Sequence, residues 1–144
     1  MAESLMLNEF EKSDINALSA LSLAYIGDAV WEIYARQHIL YISKTAKVNK
    51  LHKLTTNLVK AHSQFVFVQK LKDENIIDDE LWQVVLRGRN SSYNAPKNAD
   101  VQEYNYATGF ESLIGFLYLE KRFEKIDEIA RFCLKNADKF LNDN

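Results

Sequence analysis

The chain is poor in the residues that interrupt regular structure. Pro96 is its one proline, and only four glycines occur in 144 residues. Turn-rich β folds use both types freely, so their scarcity favours long helices. Cys133 stands alone, which excludes an intrachain disulfide and fits a reducing cytoplasm. Long apolar runs are missing too. The longest stretch without a charge, Ile15 to Gly27, is too short to cross a bilayer. The opening residues MAESLMLNEFEK carry acids where a secretion signal has a basic start. Repeats, linkers and low-complexity segments are absent.

Acids are also missing from one part of the chain. None lies between Glu32 and Asp73, whereas that interval holds eight lysines and arginines and all three histidines. Residues 81–99 add Arg87, Arg89 and Lys97, again without an acid. The formal net charge of −2 therefore conceals a basic band, compatible with a polyanionic partner and equally with a solvated helix face. His38, His52 and His62 show no tight ligand spacing, which argues against zinc and leaves them as surface residues or ones that face such a partner.

What is present is a 47% apolar composition in a length suited to one domain, taken as residues 1–144. The expected fold class is all-α, a compact multi-helix domain. Five helical segments are readable: Ile15 to Ile39 with Ser13 or Asp14 as N-cap, Lys47 to Leu71, Asp78 to Leu86, a helix capped by Asn98 or Asp100 and ending near Glu120, and Phe123 to Leu141. In the second, Leu51, Leu54, Leu58, Ala61, Phe65 and Val68 recur at spacings of three and four, an amphipathic signature. Lys53, Asn57, Lys60 and Gln64 then share a neighbouring face that looks outward. RGRNSSYNAPKNAD, residues 87–100, reads as the one long loop.

Two carboxylates sit where they are costly. Asp28 and Glu32 are the only charges from Asn16 to Ala35, and at three and four positions from Glu111 stand Ala107, Thr108, Ile114 and Gly115. A lone carboxylate on an apolar surface needs a partner. Gly27 and Gly115 lie beside the two acids, and glycine in a helix suggests close approach of another backbone or a ligand. A divalent cation would reconcile the two acids. Mg²⁺, a hard ion that keeps part of its water shell, suits such ligands, and Glu32 could join directly or through water. The alternative is structural: either acid could bond a helix N-terminus, or pair with Arg36 or Arg131 inside an ordinary bundle.

LSLAYIGDAVWEIYAR resembles the signature helix of the ribonuclease III catalytic domain, whose Gly-Asp-Ala-Val element carries a metal-binding aspartate. RGRN, PKNADVQ, Y-x-Y-x-T-x-FE-x-LIG-x-L-x-LE and N-x-LH (residues 49–52) are similar to the mini-ribonuclease III branch, which has the catalytic domain alone. The motifs occur in order over nearly the whole chain. The resemblance implies an all-helical homodimer that cuts double-stranded RNA with Mg²⁺, and for this branch it implies maturation of the large-subunit ribosomal RNA precursor in bacteria. Asp28 and Glu111 fall on the family's catalytic, metal-binding carboxylates. Ala24 and Thr108 stand where full-length ribonuclease III has two further acids, which leaves the number of metal ions open.

The other candidates follow from duplex shape. A-form RNA presents phosphates and 2′-hydroxyls rather than a readable major groove. Arg87, Arg89 and Lys97 flank the loop and could straddle a backbone. Asn90, Ser91, Ser92, Tyr93 and Asn94 suit the sugar edge, and Lys50, His52 and Lys53 could anchor phosphates. NSSYNA has no Lys or Arg, so its grip is expected to be weaker than usual for the branch. A dimer could use exposed faces around Trp31 and Tyr34, and the sequence does not locate the interface. Two readings compete: a non-catalytic relative that holds duplex RNA without cutting it, and a helical protein-interaction domain without RNA.

Overall fold

The computed structural model describes residues 5–91, 95–97 and 99–142. Among them eight helices and no strand occur: α1 (Lys12–Ala17), α2 (Ala20–Ile42), α3 (Val48–Val59), α4 (Ala61–Asp73), α5 (Asp79–Ser91), α6 (Val101–Leu119), α7 (Phe123–Lys135) and α8 (Ala137–Asn142). The all-α expectation holds, whereas the five expected segments become eight.

Each extra helix marks a break in an expected segment. The first segment breaks at Leu18 and Ser19, both extended, and the Ser19 hydroxyl accepts from the Ser22 N–H at 3.0 Å. Ser19, not Ser13 or Asp14, therefore starts the long helix, and Glu11 caps the short one in a reciprocal box with Asp14. Ser19→Ala should cost about 1 kcal/mol, read as a melting temperature lowered by a few degrees in circular dichroism. The expected 47–71 helix breaks at Lys60 (φ −68°, ψ 159°) with neither glycine nor proline to announce it. The break strands carbonyls of the last α3 turn, and side chains satisfy them. The Trp31 indole donates to the Leu58 carbonyl at 3.1 Å, and the Ser63 hydroxyl donates to that of Asn57. At the other end of the chain, Asn136 interrupts the last helix, and its amide donates to the Phe132 carbonyl at 2.8 Å.

The α5 helix is longer than expected. Asp78 caps it through the Leu81 N–H at 2.9 Å, and RGRNS continues the helix instead of opening the loop. Asp100 caps α6 through the Glu103 N–H at 3.0 Å. Ser92, Tyr93, Asn94 and Asn98 lie outside the described residues.

Helix α6 is the spine. Between Ala107 and Leu119 only Glu111 and Tyr118 escape full burial, and α2, α4 and α5 pack on it. A helix that is apolar nearly all round belongs at the centre of a bundle. The core focuses on Trp31, Phe67 and Phe110. Trp31 meets Phe110 edge-on at 4.8 Å and Phe67 at 6.0 Å. Trp31 is 0% exposed, so it is part of this core and is unavailable to a partner. Tyr34 is half-buried, its hydroxyl donating to Asp127 of α7. Burial, aided by that carboxylate, raises its pKa. Cys133 is free and buried, and desolvation pushes its thiol pKa up, so it is an inert core residue.

Candidate active site

Helices α2 and α6 cross at glycines. A Cβ on Gly27 would lie 1.8 Å from the Glu111 carbonyl oxygen and 2.7 Å from the Gly115 nitrogen. One on Gly115 would lie 1.9 Å from the Leu23 carbonyl oxygen. Both distances are far inside van der Waals contact, so only hydrogen fits and the two backbones touch. The Ser112 hydroxyl ties the crossing further by donating to the Ala20 carbonyl at 2.8 Å. This contact brings the neighbouring acids together. Asp28 directly follows Gly27, and its carboxyl lies close enough to that of Glu111 to raise the Glu111 pKa. Two acids remote in sequence thus share one spot, Asp28 exposed and Glu111 half-buried.

The electrostatics follow from that placement. Burial, then the hydrogen bond and charge of Asp28, push the Glu111 carboxyl up to about 8. Near neutrality the pair therefore holds a proton, which removes the repulsion between two adjacent carboxylates. A group whose folded pKa exceeds its unfolded value stabilises the fold most at low pH and loses that contribution as pH rises through the folded value. Without divalent metal, stability should accordingly fall between about pH 5 and pH 8, by an amount on the order of a few kcal/mol. Urea denaturation in chelator at the two ends of that range checks it, and Glu111→Gln should flatten the dependence.

Gln64 is the third member, and the sequence placed it wrongly. Because α4 restarts after Lys60, its buried face is Ser63, Gln64, Phe67, Val68 and Leu71 rather than a continuation of the α3 stripe. Gln64 is 1% exposed instead of facing outward with Lys53, Asn57 and Lys60, which are exposed. Its amide faces Glu111 and favours the ionised carboxylate, yet its Nε2 completes no hydrogen bond of ordinary length and angle within the protein. It is the one buried side-chain nitrogen or oxygen so left among the described residues. Leaving a buried donor unmade costs about 1–3 kcal/mol. The only sequence signal for it was the polar run His62, Ser63 and Gln64 shortly after Lys60, too weak to mark a break.

The remaining candidates are dispersed. Glu32 is occupied by Arg36, whose Nε lies 2.8 Å from its carboxylate, and so it is not part of the acid pair. Neither Asp28 nor Glu111 forms an ion pair with Arg36 or Arg131 among the described residues, so that pairing does not account for either acid. Lys50, His52 and Lys53 are exposed on the first turns of α3, and Arg87 and Lys97 are exposed as well. Arg89 is half-buried: it donates to the Tyr106 hydroxyl at 2.9 Å and to Asn90 at 3.0 Å, with its guanidinium over the Tyr106 ring. His62 pairs with Glu103 at 2.7 Å, and no three His, Cys, Asp or Glu side chains converge among the described residues.

Residues 21–122 match the Ribonuclease III domain model, a span that includes both acids and the glycine crossing. The chain belongs to the ribonuclease III family. A Mini-ribonuclease 3 of Clostridium tetani is 43% identical over 88% of this chain and 83% of its own. A Mini-ribonuclease 3 of a Thermoanaerobacter species is 44% identical over 86% of each. A crystal structure of a Fusobacterium nucleatum protein superposes with a TM-score of 0.76 at 31% identity, covering 86% of this chain and 98% of that one. Ribonuclease III membership makes the chain an endoribonuclease and confirms the all-α domain. No helix among the described residues is long and apolar enough to cross a membrane.

Proposed function

We propose that this ribonuclease III-type endoribonuclease cleaves double-stranded RNA with Mg²⁺ held by Asp28 and Glu111, and that its substrate is the large-subunit ribosomal RNA precursor. The observation that carries the reading is the contact between the two acids at the Gly27–Gly115 crossing. The pair fits the ion: Mg²⁺ commonly takes one or two protein carboxylates and keeps several waters. The orphan Gln64 amide beside Glu111 fits a site whose carboxylate is ionised when loaded.

When bound, the ion supplies charge neutralisation at the phosphate and a more acidic water. The chain's own part is positional. Asp28 and Glu111 would hold the ion as two acceptor groups, Glu111 in its ionised form. Hydrolysis joins a water oxygen to phosphorus and breaks the bond to the leaving 3′-oxygen, which takes up a proton. Lys50, His52 and Lys53 on α3, with Arg87, Arg89, Asn90 and Lys97 around the α5–α6 connection, hold phosphates and sugar edges without reading bases. The whole chain acts as a single catalytic domain in the cytoplasm. It pairs as a homodimer through the exposed Leu21, Tyr25 and Ile33 of α2, which form an apolar surface that one copy leaves uncovered.

The experiment is direct. A long RNA duplex and its single strand are each incubated with the protein, with and without Mg²⁺. Cleavage of the duplex alone, and only with the ion, is expected. Equal cutting of the single strand, or cutting in chelator, overturns the reading. An RNA that is bound but never cut returns the non-catalytic relative.

A further inference from the structure

We infer that Gln64 is a positioning residue for the metal-binding carboxylate: its Nε2 donates to Glu111 in the loaded site and fixes which oxygen turns toward the ion. The inference rests on the proposed metal role of Glu111. Three observations support it. Gln64 is buried on α4, a helix that contributes neither acid and packs on α6. Its amide faces the Glu111 side chain, while Nε2 completes no ordinary hydrogen bond. Its neighbours in the first turn of α4 are already committed, His62 to Glu103 and Ser63 to the Asn57 carbonyl. Gln64 alone in that turn keeps a side-chain donor in reserve, and it keeps it beside the acid.

The chemistry explains why an amide serves here. A carboxylate has about four lone-pair sites, enough for Asp28's neighbourhood, an ion and one N–H donor together. A lysine or arginine at the same place would supply charge and compete with the cation. A neutral amide orients the carboxylate without doing so. Partners one step removed from a metal typically change its affinity about 10–100-fold when removed.

The test is Gln64→Met, close in size and without the donor. Mg²⁺ alone is titrated into metal-free protein by calorimetry, with no RNA present. Affinity should weaken about 10–100-fold. The melting temperature without metal should stay the same or rise, because an unmade buried donor has gone. KM for duplex should hold, while kcat at limiting Mg²⁺ falls and recovers as Mg²⁺ is raised. A purely structural glutamine would instead lower the metal-free melting temperature and leave Mg²⁺ affinity unchanged. Gln64→Leu is read in the same way should the methionine variant not fold, and failure of both to fold would make the amide a core element and overturn the proposal. Mg²⁺ affinity within about twofold of the parent chain also overturns it. Glu111→Gln runs alongside. If that variant keeps the parent Mg²⁺ affinity, the metal reading itself has failed, whatever Gln64 does.

Discussion

Asp28→Asn should bind duplex RNA as the parent chain does and leave it uncut. The substitution keeps the side chain's size and one acceptor oxygen, and it removes one of the two negative charges at the pair. Removing a single preorganised electrostatic contributor from an active site commonly costs about 10²–10³-fold in rate. With only Glu111 left to ionise, the loss here should lie at the upper end of that range or beyond. RNA affinity rests on counter-ion release by cationic side chains, and Asp28 is not one of them. Binding at matched salt should therefore persist and even tighten slightly. The fold should tolerate the change, because Asp28 is exposed and only its contact with Glu111 is altered. Initial cleavage rates on end-labelled duplex, paired with gel shifts in chelator, separate the two effects. Undiminished cleavage would reject the catalytic assignment. Lost binding would move Asp28 from chemistry to folding.

The acids were legible because charge is conspicuous in apolar helices, and a glycine next to each pointed to close packing. That reasoning needs only helical spacing, which survives errors in helix boundaries. Gln64 was not legible for the opposite reason. Its assignment to an outward face depended on one uninterrupted helix through Lys60, and the break resets the phase so that a polar residue turns inward. No residue type forces that break. Long-range contacts stabilise it, as the Trp31 indole on the Leu58 carbonyl shows. Gly88 misled in the other direction. Local rules read it as a helix breaker, yet a Cβ there would meet the Ser112 hydroxyl at 2.6 Å and the Gly109 Cα at 2.7 Å. It is a contact glycine inside α5. Trp31 likewise looked available for a partner on a helix carrying other exposed apolar residues, whereas the aromatic cluster with Phe67 and Phe110 takes it inside. In each case the local signal was silent about which neighbour claimed the residue.

The glycine contacts give the second large effect. Gly27→Ala and Gly115→Ala should each destabilise by at least about 3 kcal/mol, at the upper end for overpacking. In both, the new methyl group collides with backbone atoms, at 1.8 Å and 1.9 Å, and backbone cannot rotate away as a side chain can. Alanine is the better helix former, by roughly 1 kcal/mol, so a loss in stability would be due to the crossing and not to propensity. Relief requires α2 and α6 to separate, and that separation pulls Asp28 from Glu111. Activity should fall further than the folded fraction does. Gly109→Ala, 2.4 Å from the Val85 carbonyl oxygen, and Gly88→Ala, 2.6 Å from the Ser112 hydroxyl and 2.7 Å from the Gly109 Cα, strain chiefly the crossing of α5 with α6. They should destabilise less, in that order, and whatever protein remains folded should keep its specific activity. Thermal melts rank the four, and cleavage rates normalised to folded protein separate the pairs. If alanine at Gly27 or Gly115 leaves both stability and rate intact, the backbone contact does not hold the two acids together. The proximity of Asp28 and Glu111 would then need another cause.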